Sequence, residues 1–341
     1  MSLTNIGIIA RLELTQRLRS VGWYVLLGVF AVIMIGVTVL AFAVYSWGDF
    51  VGAGVYSIVV NMVLLLVVLV SPTLSGNAIN GDRDAATLAA VQVTAASTGD
   101  IMLGKLLAAV ATGGAFLVVA VPFLGVGLLG GGASPLTLLV SLLVLIAEII
   151  IVATIGVALS GLIARPLFSV ATTYLVVAGL VLGTVIAFGL GGMAVRTQME
   201  EELYAYDESG QPQCETVTGT TTYEVPRFDL VWGALAANPF VVLADATPTD
   251  YTVQGYPIDM FGQIKYAVRS AQQSPQQRWN PCDSESGFTQ YPTPKQIIDS
   301  TVPSWFVGLG VQVVLAGGLF AGAWARTRTP AKTLPPGTRI A

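Results

Sequence analysis

Gly99-Asp100-Ile101-Met102-Leu103-Gly104-Lys105 carries the two glycines and the lysine of a phosphate-binding loop at the spacing such a loop uses. Its chemistry fails at the next position. Leu106 stands where a Ser or Thr hydroxyl would hold Mg²⁺, and an apolar run follows with no buried strand before it. Gly125-Val126-Gly127-Leu128-Leu129-Gly130 spells a dinucleotide fingerprint, again without a βαβ unit or an acidic partner downstream. Small residues for close helix packing explain it better. The chain has no His, which removes the commonest metal ligand and general base together. Two Cys are too few for a zinc ribbon or an iron–sulfur cluster. No catalytic residue, metal site or cofactor is therefore expected in this chain, and it reads as a non-enzyme.

One acid lies in wholly apolar surroundings, Glu148 within Leu145-Ile146-Ala147-Glu148-Ile149-Ile150-Ile151. A carboxyl inside a membrane is costly and by default suggests function. Two readings stand side by side: a wall of a substrate path or cation site, and a hydrogen bond to a neighbouring helix. Asn61 is a second candidate for such a path, with helix packing as its alternative. A third cluster, Asp82-Arg83-Asp84, opens a helix-compatible stretch from Ala85 to Val93. Thr94 to Thr98 then form a small-residue turn, and Gly104-Lys105 lead into the next apolar run.

The elements that position these residues are set by composition. Hydrophobic residues make up 54% of the 341 positions and charged ones only 11%, well below the ~25% charge of a soluble domain. About 20 apolar residues are needed to cross hydrocarbon. Six stretches qualify: Trp23–Tyr45, Tyr56–Leu74, Met102–Leu129, Leu136–Leu162, Phe168–Met193 and Trp305–Trp324. The first is too long for a cleaved signal core. Arg11, Arg17, Arg19, Arg83, Lys105, Arg165, Arg326, Arg328, Lys332 and Arg339 fall at one set of span ends. The positive-inside rule then places both termini in the cytoplasm. The expected architecture is an all-α polytopic protein of the plasma membrane with six transmembrane helices.

Residues 194–303 form the long connection between spans five and six, too long to lack structure of its own. They are acidic overall, whereas the rest of the chain is net basic. A small mixed α/β extracytoplasmic domain is expected there. It separates 1–193, an interfacial helix and five spans, from 304–341, the last span and a cytoplasmic tail. Thr216 to Val225 reads as a strand or hairpin. Phe228 to Ala246 is apolar but holds Asp229, Asn238-Pro239 and Asp245, so it reads as a helix and turn within the lobe. Cys214 and Cys282 both lie in this lobe. In an oxidising compartment they pair; two free thiols are the alternative. The acidic balance speaks first to solvation of an exposed domain.

Taken together, these features resemble the type-2 ABC exporter permeases. The resemblance rests on Asp82-Arg83-Asp84, Ala86-Thr87-Leu88 and Gly104-Lys105 in order between spans two and three. It extends to Ile8–Ser20, similar to the family's elbow helix, to Ser160–Arg165 at the end of span four, and to Asn238–Ala246. Asp replaces the usual Glu, Ala86 a usual Gly, and Ala95-Ala96 lack the usual Pro. The resemblance implies an exporter that works by alternating access. It implies a separate ABC ATPase subunit with two nucleotide sites, which holds ATP and Mg²⁺. It also implies a second permease subunit, identical or paralogous, embedded in lipid, and no nucleic-acid partner. Asp82, Arg83, Asp84, Thr87 and Leu88 would contact the ATPase. The reading from another class is a signalling or mechanotransmission membrane subunit that acts through its external lobe.

Overall fold

The computed structural model describes residues 2–48, 50–85, 96–131, 133–207, 210, 212–280, 282 and 292–327. Helix α1 (Leu3–Leu18) precedes α2 (Val21–Tyr45) and α3 (Val51–Ser75). After one turn the short α4 (Asn80–Asp84) continues α3. Next come α5 (Thr98–Leu129), α6 (Pro135–Leu162) and α7 (Pro166–Ala194), the last with a π-helical turn at Gly179–Gly183. Strands β1 (Arg196–Tyr206) and β2 (Pro212–Pro226) follow. Then come α8 (Trp232–Ala236), α9 (Pro239–Ala246), α10 (Met260–Ser270), β3 (Arg278–Trp279) and α11 (Pro294–Ser300). α12 (Trp305–Thr327) is the last long helix.

Among the described residues six helices are long and apolar enough to cross a membrane: α2, α3 with α4, α5, α6, α7 and α12, of 23 to 34 residues. Their starts are locally encoded. Ser97 and Asp100 form a reciprocal capping box on α5. Ser134 caps α6 and Pro135 fits its first turn, where no backbone N–H is needed. α3 is the central helix. Its Val59, Val63 and Leu64 are fully buried, packed with Phe116 of α5 and Leu145 and Val152 of α6. α2 and α7 instead turn large apolar side chains outward, among them Val25, Val32, Leu175 and Leu182. Apolar faces of this extent suit lipid, not water. The chain is a multi-pass membrane protein.

Two of the three fingerprint-like glycines, Gly127 and Gly130, turn out to be packing positions, while Gly125 has open space around it. A Cβ on Gly130 would lie 2.9 Å from Gly52 Cα, and one on Gly127 would lie 3.0 Å from Tyr56 Cα. They let α5 approach the start of α3 at backbone distance.

Between α7 and α12 the chain builds a mixed lobe. β1 pairs antiparallel with β2 and parallel with β3, in the order β2-β1-β3. The Cys214–Cys282 disulfide is formed, linking β2 to the segment after β3 across 68 residues. At the foot of the hairpin, the Arg227 guanidinium grips Asp229 through two 2.8 Å hydrogen bonds and holds its carboxyl below the usual range.

Phe228–Ala246 is helical, as the sequence reading has it, and α9 packs on α10 of the lobe; α8 and α9 also pack on the spans, which that reading did not include. Asn238 caps α9 through Phe240 N, and its Nδ2 donates to Val181 O at 2.8 Å and to Thr184 Oγ1 at 3.0 Å on α7. Leu243 and Ala244 enter the same core as Tyr56 and Val59. The physical reason is pairwise satisfaction of polar groups. Asp245, too costly alone in an apolar setting, takes Arg269 Nε at 2.8 Å, Ser304 N at 2.6 Å and Trp305 N at 3.0 Å. That carboxylate thereby caps the start of α12.

Candidate functional site

Two polar assemblies inside the bundle hold three of the residues singled out from the sequence, Asp82 and Lys105 in one and Glu148 in the other. The first lies at the end of the bundle that carries α1 and α4. Lys105, on the second turn of α5, is 3% exposed. Its ammonium bonds the Glu13 carboxylate of α1 and stands 2.7 Å from Asp82 Oδ2 of α4. Two carboxylates from separate elements thus converge on one buried cation, and a partner lost here strands a charge with low solvent access. The lysine of the phosphate-loop lookalike is engaged in this clamp.

Neighbouring bonds tie the same elements again. Arg17 of α1 donates to Leu74 O at 2.6 Å and to Thr112 Oγ1 at 2.9 Å. Ser2 N donates to Asp100 Oδ1 at 2.9 Å. Ser160 of α6 accepts from Ile79 N at 2.7 Å and Asn80 N at 3.1 Å, while Asn80 Nδ2 donates to Ile163 O at 3.1 Å. α4 is therefore fixed to α1, α5 and the end of α6.

Of the residues expected to dock a partner, Asp82 is one-third exposed and turned toward Lys105. Arg83 is half-buried and Asp84 exposed. Thr87 and Leu88, with most of the Ala85–Val93 stretch, lie outside the described residues.

The second assembly lies midway along α6. Glu148 is 0% exposed, and neither carboxyl oxygen has a hydrogen-bond partner among the described residues. The polar group beside it is the side-chain amide of Gln312 on α12. Gln312 is also 0% exposed, donates Nε2 to Ala237 O at 3.0 Å, and leaves its Oε1 unpartnered. Gly308, one turn earlier on α12, admits this backbone: a Cβ there would lie 1.7 Å from Ala236 O.

Asn61, 5% exposed, donates to Ser57 O at 2.8 Å on its own helix, and its Oδ1 is unpartnered. No hydrogen bond joins Asn61 to Glu148 among the described residues. Both proposed path residues face the interior of a single chain's bundle, not its lipid-exposed surface. A path along them opens only if these helices separate.

Sequence reasoning passed over Glu13 and Gln312. A lone amide in the apolar run Trp305–Trp324 was the available signal for Gln312. Glu13 carried none, because its partner is 92 residues away. Among the described residues no group of three or more Cys, Asp or Glu is placed to hold a metal ion. No family model matches the chain, and no characterised protein matches it.

Proposed function

We propose that this chain is the membrane-spanning permease subunit of an ATP-driven ABC exporter, with both termini in the cytoplasm of a plasma-membrane protein. The observation that carries the reading is the Glu13–Lys105–Asp82 clamp. It joins the acidic–basic–acidic cluster to the interfacial helix α1 and the foot of α5. A force applied to α4 by a soluble partner therefore enters three helices at once. In an exporter that force comes from an ATPase pair closing on ATP, and the substrate moves outward by alternating access. ATP and Mg²⁺ belong to the ATPase subunit. A second permease, identical or paralogous, completes the pathway, and the lipid-facing apolar surfaces of α2 and α7 offer area for it. The disulfide supports a lobe outside the cell, because such bonds persist in oxidising compartments.

The test is purification in mild detergent through a C-terminal tag, with the co-eluting proteins identified and assayed for ATP hydrolysis. Arg83→Glu with Asp84→Lys reverses charges outside the clamp. That variant is expected to lose at least tenfold of the co-purified ATPase at unchanged melting temperature. A preparation that captures no ABC ATPase, even after co-expression with candidate ATPases, overturns the reading.

One observation favours a second reading, a mechanotransmission subunit. Asp245 locks the lobe to the first residues of α12, so lobe and last span move together. A transducer needs no pathway between the spans. ATP-dependent transport lost on Glu148→Gln would decide for the exporter.

A further inference from the structure

Glu148 and Gln312 present three buried oxygens with no protein donor among the described residues: both carboxyl oxygens of Glu148 and Oε1 of Gln312. The amide cannot simply be turned over to repair this. Ala237 O accepts from Nε2 at 3.0 Å, and a reversed amide would set two oxygens against each other there. The site is also far from any compensating charge. Glu148 is about 20 Å of helix from either end of α6. Arg326, at the far end of the same helix as Gln312, is about 21 Å along α12.

The elements packed against α6 are α3, α5, α7, α9 and α12. Their titratable and basic groups are committed elsewhere or distant. Tyr56 of α3 shares a hydrogen bond with Ser141 at 2.8 Å. Lys105 of α5 holds Glu13 and Asp82, and Asp100 closes the capping box. Tyr174 of α7 donates to Leu69 O at 2.9 Å. Asp245 of α9 is paired with Arg269.

A carboxylate with this surrounding is strongly unfavourable. Acceptors without donors call for a positive particle.

We propose that Glu148 and Gln312 form a buried binding site for a small monovalent cation, a proton or Na⁺, which neutralises the carboxylate and draws the Gln312 oxygen toward it. For a proton, the carboxyl O–H forms on Glu148 and donates to Gln312 Oε1. For Na⁺, the Glu148 carboxylate and Gln312 Oε1 are ligands, with no covalent change. Either occupant joins α6 to α12. Through Nε2 of Gln312 it also supports the Ala236–Ala237 backbone that Gly308 admits. This inference does not depend on the exporter reading.

The experiment uses the full chain in lipid nanodiscs. Melting temperature is measured from acid to alkaline pH, in K⁺ and in Na⁺, for wild type, Glu148→Gln and Gln312→Leu. Infrared difference spectra of the wild type follow the protonated carboxyl C=O stretch. A proton site predicts that wild type loses stability as pH rises, equally in both salts, and shows a protonated-carboxyl band that Glu148→Gln removes. A Na⁺ site predicts a wild-type melting temperature that rises with Na⁺ but not K⁺ at alkaline pH. In both cases Glu148→Gln loses the dependence, and Gln312→Leu weakens it at least tenfold in cation concentration. If Glu148→Gln fails to fold, the wild-type titration and spectra still decide. An ionised carboxyl at every pH, with stability indifferent to both cations, overturns the site.

Discussion

At the scale of single residues, the clamp around Lys105 is the most consequential local feature. It gathers one cation and two carboxylates in a place with little water, so its members are not interchangeable. Lys105→Met removes the cation and leaves Glu13 and Asp82 facing each other at side-chain exposures of 16% and 33%. Removing one partner of a buried pair costs about 3–5 kcal/mol. Partial exposure of the carboxylates places this variant toward the lower end. Reversible unfolding in mild detergent should show that loss for Lys105→Met and a smaller one for Asp82→Asn. Equal stability of Lys105→Met and wild type would mean that the clamp contributes nothing. The type of each partner was visible in the sequence, but its direction was not. Asp82 reads as a docking residue when the chain is linear, and only the placement of α4 beside α5 turns it toward Lys105.

At the scale of elements, the pair α8–α9 decides how the lobe is joined to the membrane domain. Its turn at Ala236–Asn238 is held by α7 through Asn238 and by α12 through Gln312, and Gly308 provides the room. Gly308→Leu places a side chain against the Ala236 carbonyl. Backbone cannot yield as a side-chain tip would, so the cost should be at least the ~1–3 kcal/mol typical of overpacking. Hydrogen exchange is expected to rise in α8, α9 and the first turns of α12, while α3 and α5 stay protected. Unchanged exchange in α8 would show that the close approach is dispensable. The hairpin is tied differently. Its disulfide closes a long loop, and in the loop-entropy model that constraint contributes about 4 kcal/mol. One strand of the hairpin was legible beforehand because Thr216 to Val225 is rich in β-branched residues, whereas its partner Arg196–Tyr206 was not. The docking of α9 was not, because Phe228–Ala246 carries polar residues whose partners come from three distant elements.

At the scale of the whole molecule, the orientation proposed from charge placement can be measured directly. Val253 is fully exposed on the lobe, and Ser2 lies at the opposite end of the bundle beside Asp100. In a background with both native cysteines replaced by Ser, Val253→Cys should react with a membrane-impermeant maleimide on intact cells. A cysteine introduced near the N-terminus, at Asn5, should react only after permeabilisation. The reverse pattern would invert the topology and place the clamp outside, where no ATPase could reach it.

The sequence by itself determined the solvent and the count of spans. Both depend on composition over runs of about 20 residues, which no tertiary contact can alter. It also determined where α5 and α6 begin, since Ser97–Asp100 and Ser134–Pro135 are short-range signals. The two cysteines were legible as a pair through compartment and count. The tertiary structure alone decided which polar residues meet. Glu148 could be seen as an intramembrane acid, but its neighbour Gln312 lies on another helix, and Lys105 finds Glu13 across 92 residues. Pairing of this kind depends on helix rotation and depth, set by the packing of many weak apolar contacts around α3. Those contacts are not encoded at any one position, so the partners of buried polar groups appear only when the bundle is assembled.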